Sequence, residues 1–300
     1  MPLFNKDWWL DIVCGSENWN VVIETKDNKI VASLTFYTKN KYFFSWIGMP
    51  SLTQNMGLYI KYPLKQKYTS MLSYEKDITM KLINQLPKFD YFAQNLNYNI
   101  TNVLPFYWNN FKHSIGYTYI IDDFDDIYNR FRTNIRTDIK KALKLTKIIS
   151  DDDLKKFYEV NMLTFRRQKI KPTYSFELIE KIDNECKKKD CRKILFAEDK
   201  DGNVHASIYL VWDDTSVYYL MSGGNPEYRN SGATSLLIYE GIKFAEKNNK
   251  IFDFEGSMLE PVERFVRSFG AIQTPYIQVQ KINSKILKFR SFFKDILYER

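Results

Sequence analysis

The run KILFAEDKDGNVHASIYLVWDDTSVYYLMSGG, residues 193–224, constrains the fold more than any other part of the chain. Its apolar, β-rich segments are split at DG and DD, two turn-forming pairs, so it reads as three successive antiparallel strands. A loop, NPEYRNSG, leads to a helix from about Ala233 to Lys247. The strand IFDFEGS, a helix from about Pro261 and the strand TPYIQVQKI then follow. Three strands that give way to helix, strand, helix, strand fit neither an all-β sandwich nor a helical bundle, and the order is that of an α/β domain.

The first part of the chain is a shorter version of the same pattern. A short helix carries Trp8 and Trp9. The strands WNVVIET, KIVASLTFYT and KYFFSWIG follow, with KDN and KNK as turns between them. After a loop from Met49 to Lys67 come a helix near Leu72 to Leu86, the strand KFDYFAQN, the aromatic segment LPFYWNNF and the strand HSIGYTYII. The acidic DDFDD opens a second half whose first helix, Arg130 to Leu145, carries Arg132, Arg136, Lys140 and Lys144 as one basic ridge. Ser150 and Ser175 are positioned to cap two further amphipathic helices. The expected division is a domain over 1–121, a second over 122–283, and an amphipathic helix over 284–300.

Composition narrows the class. A chain of 300 residues, 44% hydrophobic and 27% charged, is a globular protein and not a disordered one. A formal charge of +8 favours anionic partners such as nucleotides, phosphorylated carriers, RNA or a lipid surface. No run of eighteen uncharged apolar residues occurs, and the N-terminus lacks the basic start of a signal peptide, so a cytoplasmic location is expected. Cys14, Cys186 and Cys191 suggest reduced thiols, and with only His113 and His205 beside them no metal site is expected.

One junction has the chemistry of an anion site. In YYLMSGGNPEYRNSGATSLL, Arg229, Gly232 and Ala233 put a basic residue, a tight turn and a permissive backbone at a helix start, where backbone N–H groups and the helix dipole attract phosphate. The alternative is an ordinary helix start whose glycine makes the turn. The stretch FDFEGSMLEPVERFVRSFGA, 252–271, alternates aromatic rings with carboxylates and then hands over to a helix studded with arginine.

These residues carry a family resemblance. R-N-S-G-A-T, Arg229 to Thr234, resembles the Q/R-x-x-G-x-G/A signature of GNAT acyltransferases, whose loop binds the pyrophosphate of acyl-CoA, with Thr234 where that pattern has Gly or Ala. FDFEG and VERFVRSFGA resemble the closing segment of the Fem-type peptidoglycan aminoacyltransferases, D-F-x-G, a helix, then F-K-x-x-F-G. RTNIRTDIKKALK resembles that family's basic helix and WLDIV its N-terminal helix. The resemblance implies a tandem of two GNAT-like domains, each a mixed, largely antiparallel sheet flanked by helices. It also implies transfer of an acyl or aminoacyl group to an amine, with a cell-envelope peptide or sugar precursor as acceptor.

On that reading no cofactor is tightly bound, and acyl-CoA or aminoacyl-tRNA is the cosubstrate. Arg229, Asn230, Ser231, Gly232, Ala233 and Thr234, with Met221 and Gly223 on the preceding strand, form the donor site, and backbone N–H groups around Met221 to Gly224 stabilise the oxyanion. Asp253 and Glu255 share one side of their strand, where mutual repulsion raises the pKa of one of them toward that of a useful base. Tyr219 is a candidate proton donor. Arg267 stands near the family's lysine and pairs with Arg264 as an acceptor clamp, while Trp108 and Lys112 belong to an aromatic, basic patch. The basic ridge suits tRNA or a phosphorylated acceptor, or is simply the solvated face of its helix. Residues 284–300 suit either packing over their own domain or peripheral contact with the inner face of a membrane, and the chain is expected to act as a monomer or weak dimer. The competing class is a non-catalytic GNAT-fold module that binds a phosphorylated ligand or RNA.

Overall fold

The computed structural model describes residues 1–256 and 258–290. The chain divides into two compact units, residues 3–116 with those from 275 onward, and residues 117–274. The unit over 117–274 ends before the expected 283, because the last strand pairs within the other unit.

In the first unit, α1 (Asp7–Cys14) precedes β1 (Trp19–Lys26), β2 (Lys29–Lys41), β3 (Phe44–Gly48) and β4 (Leu58–Ile60). Helix α2 (Tyr68–Gln85), β5 (Tyr91–Asn95), α3 (Leu104–Trp108) and β6 (Lys112–Ile121) follow. β1, β2 and β3 form the expected meander, and β5 joins β3 in parallel. β4 was not anticipated in the 49–67 loop. It has only three residues and pairs back onto Ala32 to Leu34 of β2, too short a run to show a period of two. The β2–β3 turn also differs. Pairing of Lys41 with Phe44 draws the KNK residues into β2 and leaves Tyr42 and Phe43 as the turn. Leu34, Phe36, Ile47, Leu82, Phe92 and Phe106 lie in one buried cluster beneath α2 and α3.

In the second unit, α4 (Ile127–Arg130) and α5 (Thr133–Leu145) lead to β7 (Lys147–Ser150), α6 (Leu154–Gln168) and α7 (Phe176–Lys188). Ser150 therefore ends a strand instead of capping a helix, and Asp153, which accepts from the Lys156 N–H at 2.9 Å, is the cap. Ser175 caps α7 as expected, accepting from the Leu178 N–H. The three antiparallel strands are β8 (Arg192–Glu198), β9 (Val204–Trp212) and β10 (Ser216–Gly224). Helix α8 (Ala233–Lys247), β11 (Ile251–Asp253), α9 (Glu260–Arg267) and β12 (Ile272–Ile282) complete the order.

The strands run β6, β11, β10, β9, β8, β7 across this unit, and only the β10–β11 pair is parallel. α5 and α8 cover one face over a core that includes Ile135, Ile139, Leu236, Leu237, Phe252 and Phe269, while α6 and α7 cover the other. Residues 285–290 are helical, and the remainder of the expected 284–300 helix lies outside the described residues. Among the described residues no helix is long and apolar enough to cross a membrane.

Candidate active site

β10 and β11 begin side by side and then part. Their pairing ends at Tyr218 opposite Asp253, where β11 stops, while β10 runs on to Gly224 paired only with β9 among the described residues. A β-bulge between Tyr219 and Met221 falls where the partner is lost. A bulge twists a strand and frees a backbone group from its ladder, so the open edge of β10 begins at Leu220. This is one residue before the expected oxyanion stretch, and at its far end the Gly224 N–H already donates to Thr164 Oγ1 at 3.2 Å.

Asp253 lies at the head of this opening and is 2% exposed. Its Oδ1 accepts from Thr118 Oγ1 at 2.6 Å and from the Glu255 N–H at 2.8 Å, so it caps the turn that follows. Burial raises its pKa from 3.8 to about 6, against these hydrogen bonds and with help from Asp213. The expected strand is shorter than IFDFEGS. Glu255 has φ of +58° and sits in the turn, so it does not continue the strand's alternation beside Asp253. Its Oε1 is buried and accepts no hydrogen bond among the described residues, and burial, then the Asp253 charge, push its pKa well above the ordinary carboxylate value. A left-handed, non-glycine residue with a desolvated carboxylate, one oxygen of it unpaired, is costly, and such costs concentrate at functional sites.

The Asp253 shift has a measurable sign. Between pH 4 and 6 the folded chain holds a proton there that the unfolded chain releases, so stability falls as pH rises through that window. Above the folded pKa of about 6 the cost is complete, on the order of 3 kcal/mol. Asp253→Asn keeps an oxygen for both donors. It is expected to weaken this slope and raise Tm at pH 7.5 by several degrees. Thermal unfolding across pH checks this, and a variant that keeps the wild-type slope would assign the pH dependence elsewhere.

The remaining expected residues divide. Tyr219 points to the face opposite Asp253, with its ring 6.2 Å from that of Phe254, and burial pushes its phenol up to about 12. The three expected catalytic residues therefore do not share one face. Arg267 is exposed and its Nε donates to Glu263 Oε1 at 2.7 Å, an oxygen that also accepts from Tyr119 Oη at 2.9 Å. Arg264 is exposed one turn earlier. Trp108 ends α3 and Lys112 opens β6, both exposed in the first unit.

The loop of the expected donor site, 225–232, is tightly held. Met221 and Ser231 are buried, and Ser231 Oγ accepts from the Ala233 N–H at 3.3 Å, which satisfies one of the helix-start donors. Lys141 donates to the Asn230 carbonyl, while Arg229 and Asn230 are exposed and Thr234 is half-buried in the first turn of α8. Gly232 has φ of +78°, and a Cβ there would strike the Asp138 carbonyl of α5. A Cβ on Gly223 would come within 2.5 Å of the Asn161 nitrogen of α6. Both glycines are thus demanded by helix packing.

Thr118, Asn161 and Thr164 escaped the sequence reading. Asn161 donates to the Ser222 carbonyl at 2.6 Å and accepts from Tyr174 Oη at 3.0 Å, so with Thr164 it fixes the open end of β10 from α6. The only signal was two polar residues three apart on a helix, and the partners are 60 residues or more away. Beside the loop, a cleft of about 570 Å³ is lined by Lys141, Lys144 and Lys200 but also by Asp199, Asp201 and Glu227. Its charges balance and give no preference for an anion. The basic ridge itself lies along α5, with Arg132, Lys140 and Lys144 exposed and Arg136 half-buried.

A parallel strand pair thus parts at a bulge and is followed directly by a loop and a helix start. Residues 129–257 match the family model described as an acetyltransferase (GNAT) domain. No curated protein is matched by sequence. Among solved structures the chain is similar to FemX, with 14% identity and a TM-score of 0.68 over 92% of this chain and 91% of that one. It is also similar to a tandem GNAT protein from the clavulanic acid biosynthesis pathway, with 8% identity and a TM-score of 0.52 over 95% and 98% of the two chains. L-PGS from Bacillus licheniformis matches with 10% identity and a TM-score of 0.53 over 86% and 83%. At these identities the likeness is one of fold, the mixed α/β fold that this chain shares with a tandem GNAT protein.

Proposed function

We propose that the chain is an N-acyltransferase that takes an activated acyl or aminoacyl group, from acyl-CoA or an aminoacyl-tRNA, and passes it to an amine. The observation that carries this reading is the opening of β10 from β11 at Tyr218 and Asp253, with a desolvated carboxylate at its head. The donor carbonyl lies along the free edge of β10, whose backbone N–H groups near the bulge stabilise the oxyanion. The amine attacks the carbonyl carbon, a C–N bond forms, and the C–S or C–O bond to the carrier breaks. Glu255 accepts the amine proton. Tyr219, on the opposite face of β10 and buried against Phe254, lies outside this path, and the departing thiolate or ribose oxygen takes its proton from solvent. Asp253, with both its hydrogen bonds turned inward, positions the turn that presents Glu255.

The Fem-type resemblance supports a cell-envelope peptide or sugar precursor as the acceptor, met at the inner face of the membrane. Arg229 and the first turn of α8 are the donor-phosphate contacts, and Arg264 and Arg267 those for the acceptor's negative charge. Release of Arg267 from Glu263 precedes that contact.

Donor binding tests the reading. A true donor at about 100 times its Kd is expected to raise Tm by roughly 5–10 °C. Acetyl-CoA stabilisation should shrink in Arg229→Ala and respond weakly to salt, whereas aminoacyl-tRNA binding should weaken steeply as salt rises. If neither class raises Tm and no labelled acyl group reaches an amine panel, the enzyme reading fails and the binding-module reading replaces it.

A further inference from the structure

The turn between β2 and β3 is chemically out of place for a turn. It has two residues, Tyr42 and Phe43, where short hairpins favour Asn and Gly. Tyr42 has φ of +57°, a backbone state that a glycine adopts most easily. Both side chains stand in solvent, Tyr42 81% and Phe43 99% exposed. Local propensity and the hydrophobic effect both oppose this choice, and neither is answered by packing among the described residues of the unit.

The surroundings indicate what covers these rings. One residue past the pair that closes the turn, the Ser45 N–H donates to Asp90 Oδ2 at 3.0 Å, and the Asp90 N–H donates to the Ser45 carbonyl at 2.9 Å. The Asp90 carbonyl in turn accepts from the Asn283 N–H at 2.8 Å. One residue thus ties the hairpin to the start of the helical segment 285–290, placing both at one end of the first unit. In that segment Leu287 is buried and anchors it, while Ile286 is 69% exposed. Lys39, Lys41, Lys88, Lys285, Lys288 and Arg290 are all exposed on these pieces of chain. Asp90, held inward by the Ser45 N–H, is the only carboxylate within residues 39–45, 88–91 and 283–290.

We infer that this end of the first unit is a docking surface for an anionic lipid bilayer, with Tyr42, Phe43 and Ile286 entering the interface and the six cations facing the headgroups. Aromatic rings suit the headgroup level, and clustered lysine and arginine hold to anionic lipid through a field that salt screens. Two weak signals, a few apolar side chains and a basic rim, give reversible binding of the kind a peripheral protein needs. The inference is independent of the acyltransferase reading, because it rests on a surface that contains none of the residues assigned to transfer.

The test is co-sedimentation of the full chain with vesicles of equal parts phosphatidylglycerol and phosphatidylcholine, beside vesicles of phosphatidylcholine alone. Binding is expected to the anionic vesicles only, and to decline as salt rises. Tyr42→Gly with Phe43→Asn puts glycine at the position with positive φ, so Tm should hold or rise while vesicle affinity drops about tenfold or more. Lys39→Gln and Lys288→Gln should each lower it about five-fold. Equal binding to neutral vesicles, or an unchanged affinity in the turn variant, overturns the inference. So does a concentration-dependent mass in sedimentation equilibrium that the turn variant abolishes, which would make the surface a contact between copies of the chain.

Discussion

Glu255→Gln is expected to lower kcat/KM for acyl transfer by about 100-fold or more, the contribution of a well-placed general base. The same variant should match or exceed the wild type in Tm. Oε1 of the carboxylate accepts no hydrogen bond among the described residues, burial disfavours its charge, and Asp253 repels it. A neutral amide of the same shape removes the charge cost, though it brings its own donors into the pocket. A base with a raised pKa also sets the acid limb of the rate profile. Activity should fall as pH drops through the Glu255 pKa, on a limb displaced above the usual carboxylate range. Asp253 sits close by, so the limb reports the pair and not one residue. Steady-state rates across pH with either donor read this directly. A Glu255→Gln enzyme with wild-type turnover would remove Glu255 from the proton path, and an equal fall in Tm would make its role structural.

Gly232→Ala is expected to destabilise the second unit by about 3 kcal/mol. Leaving glycine in a left-handed conformation costs about 1–2 kcal/mol, and overpacking a rigid contact adds about 1–3 kcal/mol. Here φ is +78° and the obstacle is the Asp138 carbonyl of α5, backbone that cannot rotate away. At roughly 2–4 °C per kcal/mol, Tm should fall by about 10 °C. The relief available is to push α8 from α5, which carries the 225–232 loop with it, so donor affinity should fall as well. Ala233→Gly controls for loop flexibility alone. A Gly232→Ala protein that melts like the wild type would show that the α5–α8 contact is loose.

Much of the fold was legible because its signals are local. The three-strand run with its DG and DD turns appears as β8, β9 and β10, and helix α8 spans Ala233–Lys247 as the pattern indicates. β7 and β4 were hidden because strands of three or four residues exist by pairing, not by periodicity. The turn at Tyr42 and Phe43 was misplaced for the same reason, since lysines suit a turn until a neighbouring strand's register claims them.

The candidate site divides along the same line. The order of residues along the chain determined that Asp253 lies in a strand followed by an arginine-bearing helix, that Gly232 precedes a helix start, and that the whole follows an α/β pattern. Tertiary structure decided what each does. It turned Asp253 inward onto Thr118 and left one Glu255 oxygen unpaired in the turn. It set Tyr219 on the opposite face, gave Gly232 and Gly223 to the packing of α5 and α6, and brought Asn161 and Thr164 to the open end of β10. Periodicity reports which face a side chain takes within its own element. Desolvation, repulsion and a missing hydrogen bond depend on what other elements bring to that face, and those partners lie far away in sequence.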